Sequence, residues 1–215
     1  MISAIQWLIL SAFLIISVSA QATNFSYMDE SLPTERRVEL LMSEMTLDEK
    51  IGQMCQFVGE ASDIDFDSKD TKSNYTLALG ARAGLIKEGK IGSFLKVSTY
   101  QEANILQSLA EESRLKIPLL IATDAIHGHG MYMGPTTIYA TQIGLAASFE
   151  PELAELMAQY TASEMRATGF HWAYSPNVEV VRDARWGRIG ETFGEDPYLV
   201  TEMGNAMVRG YQGKN

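Results

Sequence analysis

Apolar residues recur at three- and four-residue intervals through several stretches of the chain, and each such stretch predicts a helix. Over 34–45 the face is Val38, Leu41, Met42 and Met45. A second helix starts at Thr46, because Thr46-Leu-Asp-Glu49 has the form of a capping box. Its apolar face would carry Ile51, Met54 and Cys55 inward. Residues 77–87 predict a third helix, stopped by Gly89, and 100–114 a fourth. Glu150-Pro151 opens a fifth, with proline at its first position, Leu153, Leu156, Met157, Tyr160 and Met165 inside, and Gly169 as its stop. Asp196-Pro197 opens the last in the same way, with Asp196 as its cap, and this helix runs to about position 209. Between the helices lie short apolar runs at 91–97, 118–123 and 170–174, which predict strands. The run at 118–123 has the continuous apolar character of a strand buried on both faces. Residues 59–74 are acidic and poor in apolar positions and predict a surface loop, while 139–148 fits either state.

Strand and helix alternate along the chain, which predicts an α/β fold with a parallel sheet covered by helices. Polar clusters follow the strands at 124–130 and 175–196. In barrels of this class, functional residues occupy the loops at the C-terminal ends of the strands. The expected architecture is the N-terminal part of a (β/α)8 TIM-like barrel, incomplete in this chain. A full barrel takes ~250 residues, whereas 215 less the first 22 leaves 193, and the sequence stops after a helix. The expected organisation is therefore a leader at 1–22 and a barrel portion at 23–215.

The leader reading rests on an almost unbroken apolar run from Trp7 to Val18, followed by the small-x-small pattern Ala20-Gln21-Ala22. It implies an exported protein, periplasmic or secreted. The run is short for a membrane span, and no cysteine at the junction supports a lipid anchor. A net charge of −10 leaves no basic stripe for phosphates, so nucleic acid is not an expected partner. Cys55 is the only cysteine, which excludes an internal disulfide, and its apolar neighbours predict a buried structural thiol.

Residues 182–197 are the richest in chemistry, with three arginines, four acids, three glycines and a tryptophan in sixteen positions. Neither helix nor strand periodicity explains that mixture. It suits a site gripping a hydroxyl-rich ligand, or a loop tied by its own ion pairs. Glu191 and Glu195 lie among Arg182, Arg185 and Arg188 and are expected to pair with them rather than act as a catalytic carboxylate couple. Asp124-Ala-Ile-His127-Gly-His129-Gly leaves the strand at 118–123. Asp124 there can accept hydrogen bonds from paired hydroxyls, or fix its own loop, with His127 buried. His127-x-His129 also raises a metal site, although His171 is the only other histidine. A dinucleotide loop fails at Met133, where the third glycine would fall, and no Gly-x-Ser-x-Gly supports acyl transfer. If 124–130 and 175–196 share one barrel mouth, Asp124 and Arg188 form an acid–guanidinium pair suited to a sugar ring.

Three segments carry a resemblance to a known family: Leu47-Asp-Glu-Lys-Ile-Gly-Gln-Met54, Ala122-Thr-Asp124-Ala-Ile-His127-Gly, and Arg182-Asp-Ala-Arg-Trp-Gly-Arg188-Ile-Gly-Glu-Thr-Phe-Gly-Glu-Asp-Pro197. Together they resemble the N-terminal catalytic domain of glycoside hydrolase family 3, in particular exported bacterial β-glucosidases and their β-xylosidase relatives. The resemblance implies that Asp124 and Arg188 bind sugar hydroxyls in the −1 subsite. His127, Trp186, Glu191 and Asp196 would form their supporting shell. Glu179 stands where the family commonly has Asp, and Ala184 where it often has Pro. The resemblance implies hydrolysis of terminal non-reducing β-D-glucosyl residues by retaining double displacement, with β-linked oligosaccharides or aryl β-glucosides as partners. It implies no metal or organic cofactor. The family's Lys-His pair, its nucleophile and its acid/base would lie beyond Asn215, so no catalytic residue is assigned within this chain. The alternatives are a β-xylosidase of the same family, a non-catalytic sugar-binding fragment and a metal-dependent hydrolase.

Overall fold

Among the described residues four short strands run parallel, in the order in which they occur in the chain. The computed structural model describes residues 26–59, 64–131 and 133–213. The leader read at 1–22 lies outside these. The strands are β1 (Gln56–Val58), β2 (Ser93–Leu95), β3 (Leu120–Thr123) and β4 (Trp172–Ala173). Each pairs in register with the next, with Phe57 beside Phe94, Phe94 beside Ile121 and Ala122 beside Trp172. Consecutive parallel strands need helical crossovers, which here are α3 (Thr71–Leu79) with α4 (Ala81–Lys87), then α5 (Tyr100–Ala110), then α6 (Gln142–Ala146) with α7 (Pro151–Ala167). α2 (Leu47–Gln53) precedes β1 and α8 (Pro197–Gln212) follows β4. This is the (β/α) order of a TIM-like barrel. The described residues up to Met45 form a separate compact unit. Its α1 (Thr34–Glu44) is tied to the preceding turn by Arg37 Nε, which donates to the Tyr27 carbonyl at 2.8 Å.

Strand side chains alternate between two faces. Phe57, Phe94, Ile121 and Ala173 belong to the core formed with Leu79, Ile86, Leu106 and Leu109 from the covering helices. Gln56, Val58, Leu95, Leu120, Ala122 and Trp172 therefore occupy the opposite, inner face. Tyr174 continues that parity beyond β4, and its hydroxyl donates to Gln56 Oε1 on β1 at 2.9 Å. Side chains stand nearly perpendicular to a sheet, so this contact across two intervening strands requires the sheet to curl as a barrel wall does. A second core cluster packs α7 against α8 through Ala154, Met157, Ala158, Met203, Ala206 and Met207, and Arg209 pairs with Glu155 at 2.9 Å.

Several expectations change. β1 is a strand that periodicity did not reveal, since three residues are too few to show alternation. Ile51 and Met54 do not point inward, and Met54 is 79% exposed. α2 docks instead through Glu49 and Gly52. A Cβ on Gly52 would lie 2.4 Å from the Gly89 carbonyl, so the backbones meet too closely for any side chain. Cys55 is only half-buried. The capping box of α2 forms as read, with Thr46 and Glu49 satisfying each other's backbone. The expected helix at 77–87 is two helices broken at Gly80, whose φ of 57° lies in the left-handed region. Its first half begins at Thr71, inside the expected loop, and positions 60–63 of that loop lie outside the described residues. On α7 the small residues Ala154, Ala158 and Thr161 face inward, while Leu153, Leu156 and Tyr160 are exposed. Met157 and Met165 are buried as expected, and the small side chains let α8 approach closely, so apolar size reported burial for only part of this face.

Candidate functional site

Asp124 leaves β3 two residues after Ala122, so strand parity carries it toward the inner face at the C-terminal end of the sheet. It is half-buried. Among the described residues its carboxylate makes no hydrogen bond or ion pair, which leaves its lone pairs available. The segment after it is fixed from three directions. Tyr211 of α8 donates its hydroxyl to the Ala125 carbonyl, and burial pushes that phenol's pKa up to about 12, so it stays a donor. His127 Nδ1 lies 3.1 Å from the Tyr139 carbonyl, and Tyr139 N donates back to the His127 carbonyl at 2.8 Å. Gly130 N donates to the Thr137 carbonyl at 3.1 Å. Gly128 sits inside this ladder with φ 115°, and a Cβ there would lie 2.3 Å from the Thr137 carbonyl. Only glycine meets both conditions.

His129 does not join His127. Its Nε2 lies 2.9 Å from Thr168 Oγ1, its ring meets Phe170 edge-on at 4.7 Å, and its Nδ1 is buried without a partner among the described residues. Thr168 donates its own proton to the α7 carbonyls, so His129 must be the donor to Thr168. Burial lowers the His129 pKa, with Glu164 acting in the opposite direction. The two imidazoles thus serve separate structural contacts, contrary to the reading of His127 and His129 as a pair of metal ligands. Among the described residues no group of three or more His, Cys, Asp and Glu could hold a metal ion.

Arg188 lies in the loop after β4, between two short turns at Ala184–Trp186 and Ile189–Glu191. Its Nε donates to both Glu191 carboxylate oxygens, at 3.1 and 3.0 Å, and its Nη2 also donates to Glu191. Nη1 has no partner among the described residues, so one edge of the guanidinium remains open. The Glu191 hydrogen bonds and charge raise the Arg188 pKa above its ordinary value, and the charges of Glu179 and Asp124 act in the same direction. Asp124 and Arg188 come from loops after adjacent strands, β3 and β4. Glu191 is held below the usual carboxylate range by Arg188 first, with Asn177 adding to the shift. Asn177 Nδ2 donates to Glu191 at 3.3 Å, and the Asn177 backbone is clamped by Gln142, which donates to its carbonyl at 3.0 Å and accepts from its N–H at 3.2 Å.

The other acids behave differently from one another. Arg185 pairs with Asp183 rather than with a glutamate, and Glu195 forms no ion pair among the described residues. Asp196 caps α8, accepting from Tyr198 N at 2.7 Å and Leu199 N at 3.0 Å. Trp186 is 42% exposed on its turn. A cleft of about 600 Å3 between α6 and the 181–196 segment, floored by Ile143, Phe193 and Leu199, includes neither Asp124 nor Arg188. Sequence reasoning missed Gln142, Asn177 and Tyr211. None carries a motif, and each acts on a residue distant in sequence.

Residues 46–215 match the glycosyl hydrolase family 3 N terminal domain. The chain belongs to this family. Among family 3 proteins, it is 35% identical over 176 residues to the periplasmic β-glucosidase of Salmonella typhimurium, covering 81% of this chain and 20% of that protein. It is 42% identical over 130 residues to a β-xylosidase of Formosa agariphila, covering 58% of this chain and 18% of that one. The crystal structure of a β-glucosidase from Listeria innocua in complex with glucose superimposes with a TM-score of 0.68 at 37% identity, over 85% of this chain and 24% of that one. The chain thus spans about a fifth of the length of these curated relatives.

Proposed function

We propose that this family 3 segment supplies half of the sugar subsite of an exo-acting β-glycosidase that releases terminal non-reducing β-D-glucosyl residues. One observation carries the reading: Asp124 and Arg188 stand in the loops that follow the adjacent parallel strands β3 and β4, and among the described residues the Asp124 carboxylate is unpartnered and one edge of the Arg188 guanidinium is open. A carboxylate accepts from vicinal hydroxyls, and a guanidinium edge donates to their oxygens, so the pair holds a pyranose ring from two sides. Such contacts accelerate the reaction where they tighten as the ring gains oxocarbenium character. His127, Trp186, Glu191 and Asp196 are the supporting shell of this site. In a retaining double displacement, a carboxylate attacks the anomeric carbon, an acid protonates the leaving oxygen, and water then releases the sugar. We assign neither of those two groups to a residue of this chain.

A terminal β-D-xylosyl residue is the second reading, favoured by the likeness to the Formosa agariphila β-xylosidase. Residues 1–22 form an export leader in this account, supported by the apolar run and Ala20-Gln21-Ala22, and by the likeness to a periplasmic relative. Proton NMR of the full-length protein acting on an aryl β-glucoside tests the reaction. Retention predicts β-glucose as the first product, with the α anomer growing in only by mutarotation. First appearance of α-glucose, or no hydrolysis, contradicts the proposal. A higher kcat/KM on the matching β-xyloside selects the second reading.

A further inference from the structure

We propose that Gln142 and Asn177 are positioning residues that fix Arg188 relative to Asp124, through a strap formed by residues 136–142. The proposal rests on the reading of Asp124 and Arg188 as sugar contacts. The strap begins where Thr137 and Tyr139 pair with Gly130 and His127 in the loop that carries Asp124. Three residues after Tyr139 it reaches Gln142, the first residue of α6, which is 1% exposed. A buried primary amide must use its donor and its acceptor. Gln142 places both on the backbone of Asn177, in the loop after β4. Holding that backbone aims the Asn177 side chain at Glu191, and Glu191 forks onto Nε and Nη2 of Arg188.

The consequence is geometric. Arg188 is mostly exposed, and an exposed ion pair between flexible side chains is weak by itself. Without Asn177, the Glu191 carboxylate is free to rotate and carry the guanidinium with it. With Asn177 held from the strap, the open edge of Arg188 keeps one direction relative to the Asp124 loop, because the same strap binds that loop. Misplacing a substrate-positioning group by about 1 Å costs up to ~100-fold in rate.

Asn177→Ala is the informative variant. It removes only the amide that reaches Glu191 and leaves both Gln142 contacts to the backbone. The full-length protein should keep its melting temperature within about 2 °C. The Arg188 Nε–H signal, assigned by its loss in Arg188→Lys, should exchange with solvent at least about fivefold faster, and kcat/KM on an aryl β-glucoside should fall about fivefold or more, as expected for a lost positioning contact. Gln142→Ala should speed the same exchange while also lowering the melting temperature, because it strands two backbone groups. If Asn177→Ala leaves Arg188 Nε–H exchange unchanged, the positioning role is overturned, whatever Arg188→Ala does to activity. If exchange quickens while both Asn177→Ala and Arg188→Ala keep wild-type kinetics, positioning stands and the sugar reading of Arg188 falls.

Discussion

Arg188 uses its Nε and Nη2 hydrogens on Glu191, while the Asp124 carboxylate makes no bond to any described residue. The two side chains differ in what holds them: the arginine is steered by an acid, the aspartate only by its backbone. Glu49 shows a third arrangement, in which one carboxylate serves several partners. It accepts from Thr46 N at 2.8 Å and Thr46 Oγ1 at 2.9 Å, and Arg114 forks onto it at 3.1 and 2.7 Å. The Arg114 hydrogen bond lowers its pKa most. A carboxylate with a lowered folded pKa stabilises the fold above its unfolded value, about pH 4.3, and that contribution is lost as pH falls through the folded value. Glu49→Gln should therefore lower the unfolding free energy by about 1 kcal/mol at pH 7. The gap to wild type, read from urea melts, should close below about pH 4. A pH-independent gap contradicts this account of Glu49. The capping box was legible from Thr46 and Glu49 alone, but Arg114, 65 residues away, was not.

At the scale of elements, the helices with proline or capping residues at their starts were legible, because those signals are local. The short strands were less so. β1 has three residues and β4 two, and each is fixed by its neighbours in the sheet rather than by its own pattern. The loop after β3 depends on His129, buried against Thr168 and Phe170 with Glu164 as its charged neighbour. Burial lowers the folded pKa of His129, and that of His171 likewise. The unfolded chain takes up these protons near pH 6.5 and the folded chain only at lower pH. Stability is thus unaffected above about pH 7 and declines as pH falls from there toward the folded values. His129→Gln keeps a donor for Thr168 and cannot titrate. Its drop in melting temperature between pH 7 and pH 5 should be smaller than that of wild type by about 2 °C or more. An equal drop means that His129 is not the group that titrates.

For the whole molecule, strand–helix alternation and the three sequence motifs were enough to indicate a family 3 barrel. The position of Asp124 followed from its place after β3, and that of Arg188 from its place after β4. The link between them was not legible. It runs through Gln142 and Asn177, which carry no motif and meet only once the chain has folded. In this account the loops after two adjacent strands act as one subsite. Kinetics of the full-length protein on an aryl β-glucoside test that most directly, using Asp124→Asn, Arg188→Ala and the double variant. Each single change should lower kcat/KM by at least about tenfold, ~1.4 kcal/mol of transition-state stabilisation. The double variant should lose less than the product of the two, because both groups hold the same ring. Wild-type kcat/KM in either single variant, or losses that multiply independently, would contradict the shared subsite.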